Sequence, residues 1–226
     1  MSQRSYNSRP PVAGWSSLAA RRAHNPKVVG SNPTPATTFL VTLDGCRRLQ
    51  ATSSAGSLKL TSFEALAAAL ETAGVRYLVA GGLAVAAHGY LRFTKDVDIV
   101  VRLVPDNIER TFAALASLGY RPSVPITKEQ FSNGELRQSW VRDKGMQVLQ
   151  FWSDAHRETS VDVFVTEPFD FDSEYASALI SPLNERLAIR FVSLPTLIRM
   201  KEEANRPQDR ADIEQLLARR DNHANK

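Results

Sequence analysis

Two aspartates one residue apart, Asp96 and Asp98, open the apolar run Lys95-Asp96-Val97-Asp98-Ile99-Val100-Val101. Side chains alternate along a strand, so on a strand both carboxylates face the same way. At about 4 Å and an effective dielectric near 20, two such charges repel by about 4 kcal/mol. A proton on one of them, or a divalent cation between them, relieves that repulsion, and hard oxygen ligands suit Mg²⁺. A solvated strand edge is the alternative reading of this pair taken alone. Asp162 is a third carboxylate inside an apolar run, Ser160-Val161-Asp162-Val163-Phe164-Val165. If its strand lies beside the first, three carboxylates share one pocket and can hold two metal ions, the arrangement for in-line phosphoryl or nucleotidyl transfer. Upstream, Gly81-Gly82 follows the short apolar run Arg76 to Ala80 and precedes a helical stretch. Free N–H groups and the positive end of a helix then point at one spot that suits a phosphate. A tight turn with positive φ is the plainer reading. The pair is no P-loop, since no Gly-Lys-Ser/Thr follows, and the G-x-G-x-x-G spacing of a dinucleotide site is missing.

These residues need a scaffold, and the pattern from residue 58 onward supplies one. A capping box at Thr61-Ser62-Phe63-Glu64 starts a helix that Gly74 can stop. A strand at 76–80, the glycine turn and a helix at 83–88 follow. Val97 to Val104 reads as a buried strand and 106–118 as a helix ending at Gly119. Residues 127–139 read as helix, and 146–152 with 160–165 as a hairpin across the polar turn 153–159. Leu187 to Val192 is another strand, and helices at 194–205 and 208–220 flank Arg206-Pro207. The expected fold is α+β, a mixed β-sheet flanked by helices with a helical C-terminal section from about 194. The expected domain spans 58–220, with a tail at 221–226.

The 226 residues make one domain plus appendages, and the longest apolar run, Leu78 to Ala87, is about half a membrane span. No membrane partner is expected. Cys46 is the single cysteine, which fits a reducing, cytoplasmic setting and gives no disulfide or Cys-based zinc site. The net charge of +4 misleads about nucleic acid until it is divided along the chain. Residues 1–57 carry seven basic side chains against Asp44 alone, and the rest carries 21 basic and 23 acidic ones. The part that can fold is slightly acidic.

Residues 1–57 show no apolar period and are expected to be a disordered extension. They are Arg- and Ser-rich like a targeting peptide, but lack its amphipathic face. Gly14-Trp15-Ser16-Ser17-Leu18-Ala19-Ala20-Arg21-Arg22, followed by HNPKVVGSNPTPATTF, resembles the translation of a bacterial tRNA gene, as when a start codon is placed too early. No methionine lies between Met1 and Met146, so a later start would use another codon, for example at Val41. A genuine basic arm is the alternative.

Taken together, Gly81-Gly82, thirteen intervening residues, Asp96-x-Asp98 and the distant Asp162 resemble the nucleotidyltransferases of the DNA polymerase β superfamily. The approach Arg92-Phe93-Thr94-Lys95-Asp96-Val97-Asp98, with Met200-Lys201 and Arg206-Pro207-x-Asp209-x-x-Asp212-Ile213 downstream, is similar more narrowly to the AbiEii-type branch, which contains toxins of bacterial toxin–antitoxin and phage-defence systems. The resemblance covers residues 62–217. It implies a nucleotidyltransferase-like fold and Mg²⁺-dependent transfer of NMP from an NTP, ATP included, to an acceptor hydroxyl of a tRNA, a small molecule or a protein. Two Mg²⁺ ions would sit on Asp96, Asp98 and Asp162, with Asp162 activating the hydroxyl. Gly81, Gly82, Arg92 and Lys95 would face the triphosphate, and Lys201 would join the catalytic set and Asp212 the nucleotide site. A cognate antitoxin would be a partner. Read from the residues alone, Lys201 could equally be a solvated lysine, and Asp209 or Asp212 a local partner of Arg206 or Arg210.

The remaining candidates read plainly. His88 suits a hydrogen-bonded packing role, His156 lies in a turn, and His24 and His223 lie in tails, so no His-based metal site is expected. Trp140, Phe151 and Trp152 fill core or groove, with room for one to stack on a base. Two other functions use similar features: a DxD glycosyltransferase, for which too little chain precedes the motif, and a non-catalytic nucleotide-binding module acting through a protein partner.

Overall fold

The structure is a computed structural model and describes residues 60–224. The expectations for residues 1–57, including Cys46 and His24, lie outside the described residues.

Seven strands form one mixed sheet in the order β3-β4-β5-β2-β1-β7-β6. They are β1 (Tyr77–Val79), β2 (Asp96–Val101), β3 (Arg121–Pro122), β4 (Val148–Trp152), β5 (Ser160–Phe164), β6 (Leu179–Asn184) and β7 (Leu187–Phe191). The helices are α1 (Leu60–Thr72), α2 (Gly81–Ala87), α3 (Pro105–Ser117), α4 (Lys128–Ser132), α5 (Gly134–Lys144), α6 (Phe171–Ser177), α7 (Leu194–Ala204) and α8 (Pro207–Ala224). This is the expected α+β architecture, with a pair of helices closing the chain.

The two faces of the sheet differ. Val97, Ile99, Leu149, Phe151, Val161 and Val163 are buried beneath α1, α3 and α4, where Phe112 meets Phe131 at 5.5 Å and Phe151 at 5.2 Å between ring centres. Strand periodicity sends Asp96, Asp98, Ser160, Asp162, Gln150 and Trp152 to the opposite face. There α2 packs on β2 and against α7, while Gln150 and Trp152 stay exposed. One face is core, and the other is half covered.

The elements depart from the sequence reading in four places. Leu60 starts α1, so Thr61 and Ser62 lie inside it and the expected capping box does not form; buried Ser62 instead meets His156 Nδ1 at 2.9 Å. The helix expected over 127–139 is two helices. Thr127 and Gln130 make a capping box on α4, and Asn133 ends α4 while its side chain accepts from the amides of Glu135 and Leu136 to start α5. Strand β6 and helix α6 were not expected. Asp170 caps α6 through the Ser173 amide, and β6 pairs antiparallel with β7. Helix α8 continues to Ala224, past the expected tail boundary at 221.

Candidate active site

Strand β2 runs parallel to β5 in a register that pairs Asp96 with Ser160 and Asp98 with Asp162. Paired residues in a parallel ladder face the same side, so the three carboxylates share the half-covered face. Asp98 and Asp162 are partly buried, and the Asp162 Oδ1 is fully buried with no hydrogen-bond partner. Burial, reinforced by Asp96, pushes Asp98 up to about 6, even though Arg206, Lys201 and Arg92 pull the other way. Burial, then Asp98 and Asp96, push Asp162 up to about 7. The repulsion expected from the sequence is therefore a property of the folded protein.

The glycine turn is shaped around this cluster. Gly81 has φ +57°, and a Cβ there would sit 1.9 Å from Asp98 Oδ2. Backbone conformation and close approach both demand glycine at this position. A Cβ on Gly82 would fall 2.7 Å from Thr94 Oγ1 and 2.9 Å from Arg92 Nη2. No side chain caps α2, which leaves its first amides free beside Asp98.

A second pair of acids, on α8, is built differently. Asn205 adopts the left-handed conformation and closes α7, after which Pro207 starts α8. Asp209 accepts from the Arg206 amide and guanidinium, capping the new helix. Asp209 and Asp212, one turn apart, are 1% and 0% exposed and receive the Lys201 Nζ at 3.0 and 2.6 Å. Asp212 also takes Gln208 Nε2 at 3.1 Å and lies 3.1 Å from Arg92 Nε, an ion pair without good hydrogen-bond alignment. Burial alone would raise Asp209, but hydrogen bonds from Arg206 and Lys201 outweigh it and hold the carboxyl below its ordinary value.

Each expected site residue can now be placed. Asp96, Asp98 and Asp162 share one face of the sheet, with Gly81 against Asp98 and Gly82 against Arg92. Lys201 and Asp212 join through Arg92, and Lys201 is buried rather than solvated. Asp209 is the partner of Arg206, as one reading allowed. Lys95 is exposed and makes no ion pair with a described residue. His88 is the expected packing residue, its Nε2 2.8 Å from the Val192 carbonyl oxygen and its pKa lowered by burial. Sequence reasoning missed Ser160, whose Oγ donates to Asp96, and Thr94, whose Oγ1 donates to the Asp96 carbonyl at 3.2 Å. The two-residue spacing of Ser160 from Asp162 was the available signal. It also missed Glu174, buried under the start of α7, where it accepts from the Ser193 amide and the Thr196 hydroxyl.

The donor set suits a hard cation. Three carboxylates face one side, one with an orphaned buried oxygen and two with raised proton affinity, and a cation would relieve all of these. Among the described residues no three such side chains already form a chelating cluster. Asp96 is held by Ser160 and would turn inward to join the other two.

No family model and no curated protein matches this sequence. Among solved structures, the chain is similar to the lincosamide antibiotic adenylyltransferase LnuA in its lincomycin-bound form, at 12% identity over 71% of this chain and 97% of that one, with a TM-score of 0.45. It is also similar to ANT(2″)-Ia in complex with adenylyl-2″-tobramycin (13% identity, 70% and 86% covered, TM-score 0.43). A third is an antigenic nucleotidyltransferase-like protein from Paracoccidioides brasiliensis (19% identity, 70% and 75% covered, TM-score 0.43). The chemistry assigned below rests on this chain's own residues.

Proposed function

We propose that the protein is a nucleotidyltransferase that moves an NMP from an NTP to an acceptor hydroxyl, releasing pyrophosphate. The observation that carries this reading is the β2–β5 register, which sets Asp162 level with Asp98, the carboxylate that abuts the Gly81 turn. Asp96, Asp98 and Asp162 would hold Mg²⁺, which when bound supplies charge neutralisation at the transferring phosphoryl group. The free amides of Gly81 and Gly82 and the guanidinium of Arg92 take the triphosphate. Asp162, level with Asp98 on the same face, accepts the proton of the attacking hydroxyl. Lys201 and Asp212 act by holding Arg92 beside Gly82, since the Lys201 ammonium is already engaged by two buried carboxylates. Lys95, exposed and one residue before Asp96, adds a positive charge.

The finer part of the reading is a toxin of a bacterial toxin–antitoxin pair, acting in the cytoplasm with a cognate antitoxin as partner. It follows the sequence resemblance of Arg92–Asp98 and Lys201–Asp212. No helix among the described residues is long and apolar enough to cross a membrane. Incubation with each of four labelled NTPs, Mg²⁺ and total RNA tests the transfer, and arrest of growth on expression tests the toxin role. Label should move in an EDTA-sensitive manner. If no NTP transfers label to RNA, protein or small hydroxyl acceptors, the reading fails.

A further inference from the structure

The three sheet carboxylates are not held alike. Asp162 Oδ1 has no partner within the fold, whereas the Asp96 carboxylate accepts the hydroxyl of Ser160 from the neighbouring strand. We infer that Ser160 is a positioning residue that keeps Asp96 out of the cation site in the metal-free protein, so that Asp98 and Asp162 form the standing part of that site and Asp96 joins only when this hydrogen bond breaks. The inference rests on the reading of the three carboxylates as Mg²⁺ ligands given above.

Strand geometry offers the Asp96 carboxylate two destinations. Ser160 is its register partner on β5, about 4.8 Å away across the ladder, while Asp98 follows two residues along β2, about 6.6 Å away. The lateral partner is the nearer one. Asp98 and Asp162 stand in that same lateral relation to each other, so these two can share a cation without leaning along a strand. The main chain of Asp96 is fixed by the ladder and by Thr94, whose Oγ1 donates to the Asp96 carbonyl at 3.2 Å. Joining the other two carboxylates is therefore a change of side-chain rotamer alone.

The chemistry of the contact gives that rotamer change a cost. A serine hydroxyl donates one hydrogen bond, and here it goes to Asp96. Bonds of this kind onto a carboxylate are stronger than those between neutral groups. A cation that recruits Asp96 must first release it, and its affinity falls by the cost of that release. Among the described residues no three acidic, histidine or cysteine side chains form a group that could hold a metal ion as they stand, which is the state that a withheld third ligand produces. A serine that only satisfied the start of β5 would leave cation affinity untouched.

The test is Mn²⁺ binding to the full chain without NTP, read by loss of the free-ion EPR signal. Ser160→Ala and the near-isosteric Ser160→Cys should each bind Mn²⁺ about tenfold more tightly than wild type, the factor that follows from releasing one hydrogen bond to a charged group. Ser160→Thr keeps the hydroxyl and should stay within about twofold of wild type. In an Asp96→Asn background the serine-to-alanine change should have no effect, since the group it releases is no longer a carboxylate. Melting curves in EDTA identify folded variants, and Ser160→Cys decides the matter if Ser160→Ala does not fold. Unchanged or weaker binding by the folded alanine or cysteine variant overturns the inference. NMP transfer measured in parallel keeps the two ideas apart. Transfer with no tightening overturns only the role of Ser160, and tightening with no transfer overturns only the transfer reading. Absence of Mn²⁺ binding in every form overturns Ser160's role together with the carboxylates as metal ligands.

Discussion

Two groups of buried aspartates lie on either side of Arg92 and have opposite electrostatic fates. Asp209 and Asp212 on α8 are the more deeply buried, yet they are matched by Lys201, Arg206, Arg92 and Gln208. Asp98 and Asp162 on the sheet are less buried, yet they repel one another and are pushed up to about 6 and about 7. Depth therefore does not separate structural from reactive acids here. What separates them is whether the fold supplies the counter-charge. An ion network closed within the protein fixes geometry, and a cluster left open asks for a cation from outside.

The largest expected effect breaks this contrast on its reactive side. Asp98→Asn or Asp162→Asn should lower nucleotidyl transfer at least about a thousandfold, or ~4 kcal/mol, because an amide is a poorer ligand and takes no proton. The melting temperature in EDTA should hold or rise, since a repelling charge has gone. Variants that melt earlier and still transfer label would make these carboxylates structural.

On the other side the order reverses. Lys201→Met leaves two buried carboxylates short of a cation, and a loss of about 3–4 kcal/mol in urea unfolding is expected. A stability change below about 1 kcal/mol would show that Asp209 and Asp212 do not depend on it.

pH sharpens the comparison. Asp98 and Asp162 have folded-state values above the ordinary 3.8, so their contribution to stability is full below about pH 4 and is lost as pH rises through 6 to 7. The two titrate as a coupled pair. In EDTA, stability should fall by about 2–3 kcal/mol between pH 5 and pH 8, and Mg²⁺ should restore much of it. Asp209 runs the other way: its value is lowered, so its contribution is lost as pH falls. A metal-free chain more stable at pH 8 than at pH 5 would contradict the account of the open cluster.

Smaller still is Gly81→Ala. The left-handed backbone costs about 1–2 kcal/mol for an L residue, and the new methyl must displace the Asp98 carboxylate, so activity should fall further than stability. Comparing denaturant midpoints with transfer rates checks the split. At the low end, Lys95→Ala should change stability by less than about 0.5 kcal/mol and act only on the KM for NTP.

Much of this was legible beforehand because the signals are local. The glycine stop after α1, the apolar strands around Asp98 and Asp162 and the helices about Arg206-Pro207 all follow from runs of a few residues. Some misses are local caps that were overlooked, as at Asn133 and Asp170, and others are elements whose partners lie elsewhere. Strand β6 reads weakly, with Pro182 and Asn184 in it, and exists because β7 is beside it. Thr61 resembles a cap, but burial of Ser62 and Phe63 carries the helix start past it.

The same division runs through the site. From order and type of residues alone come the parity of Asp96 and Asp98, the glycine pair and the amphipathic helices bearing Lys201 and Asp212, since period-2 and period-3.6 patterns are local properties. Only the tertiary structure decided that Asp162 is level with Asp98, that Gly81 must lack a side chain because of Asp98, and that Lys201 is hydrogen-bonded to two aspartates on α8 while its charge reaches Asp98 too weakly to offset burial and Asp96. Register and charge pairing depend on which strands and helices become neighbours, and long-range packing sets that adjacency.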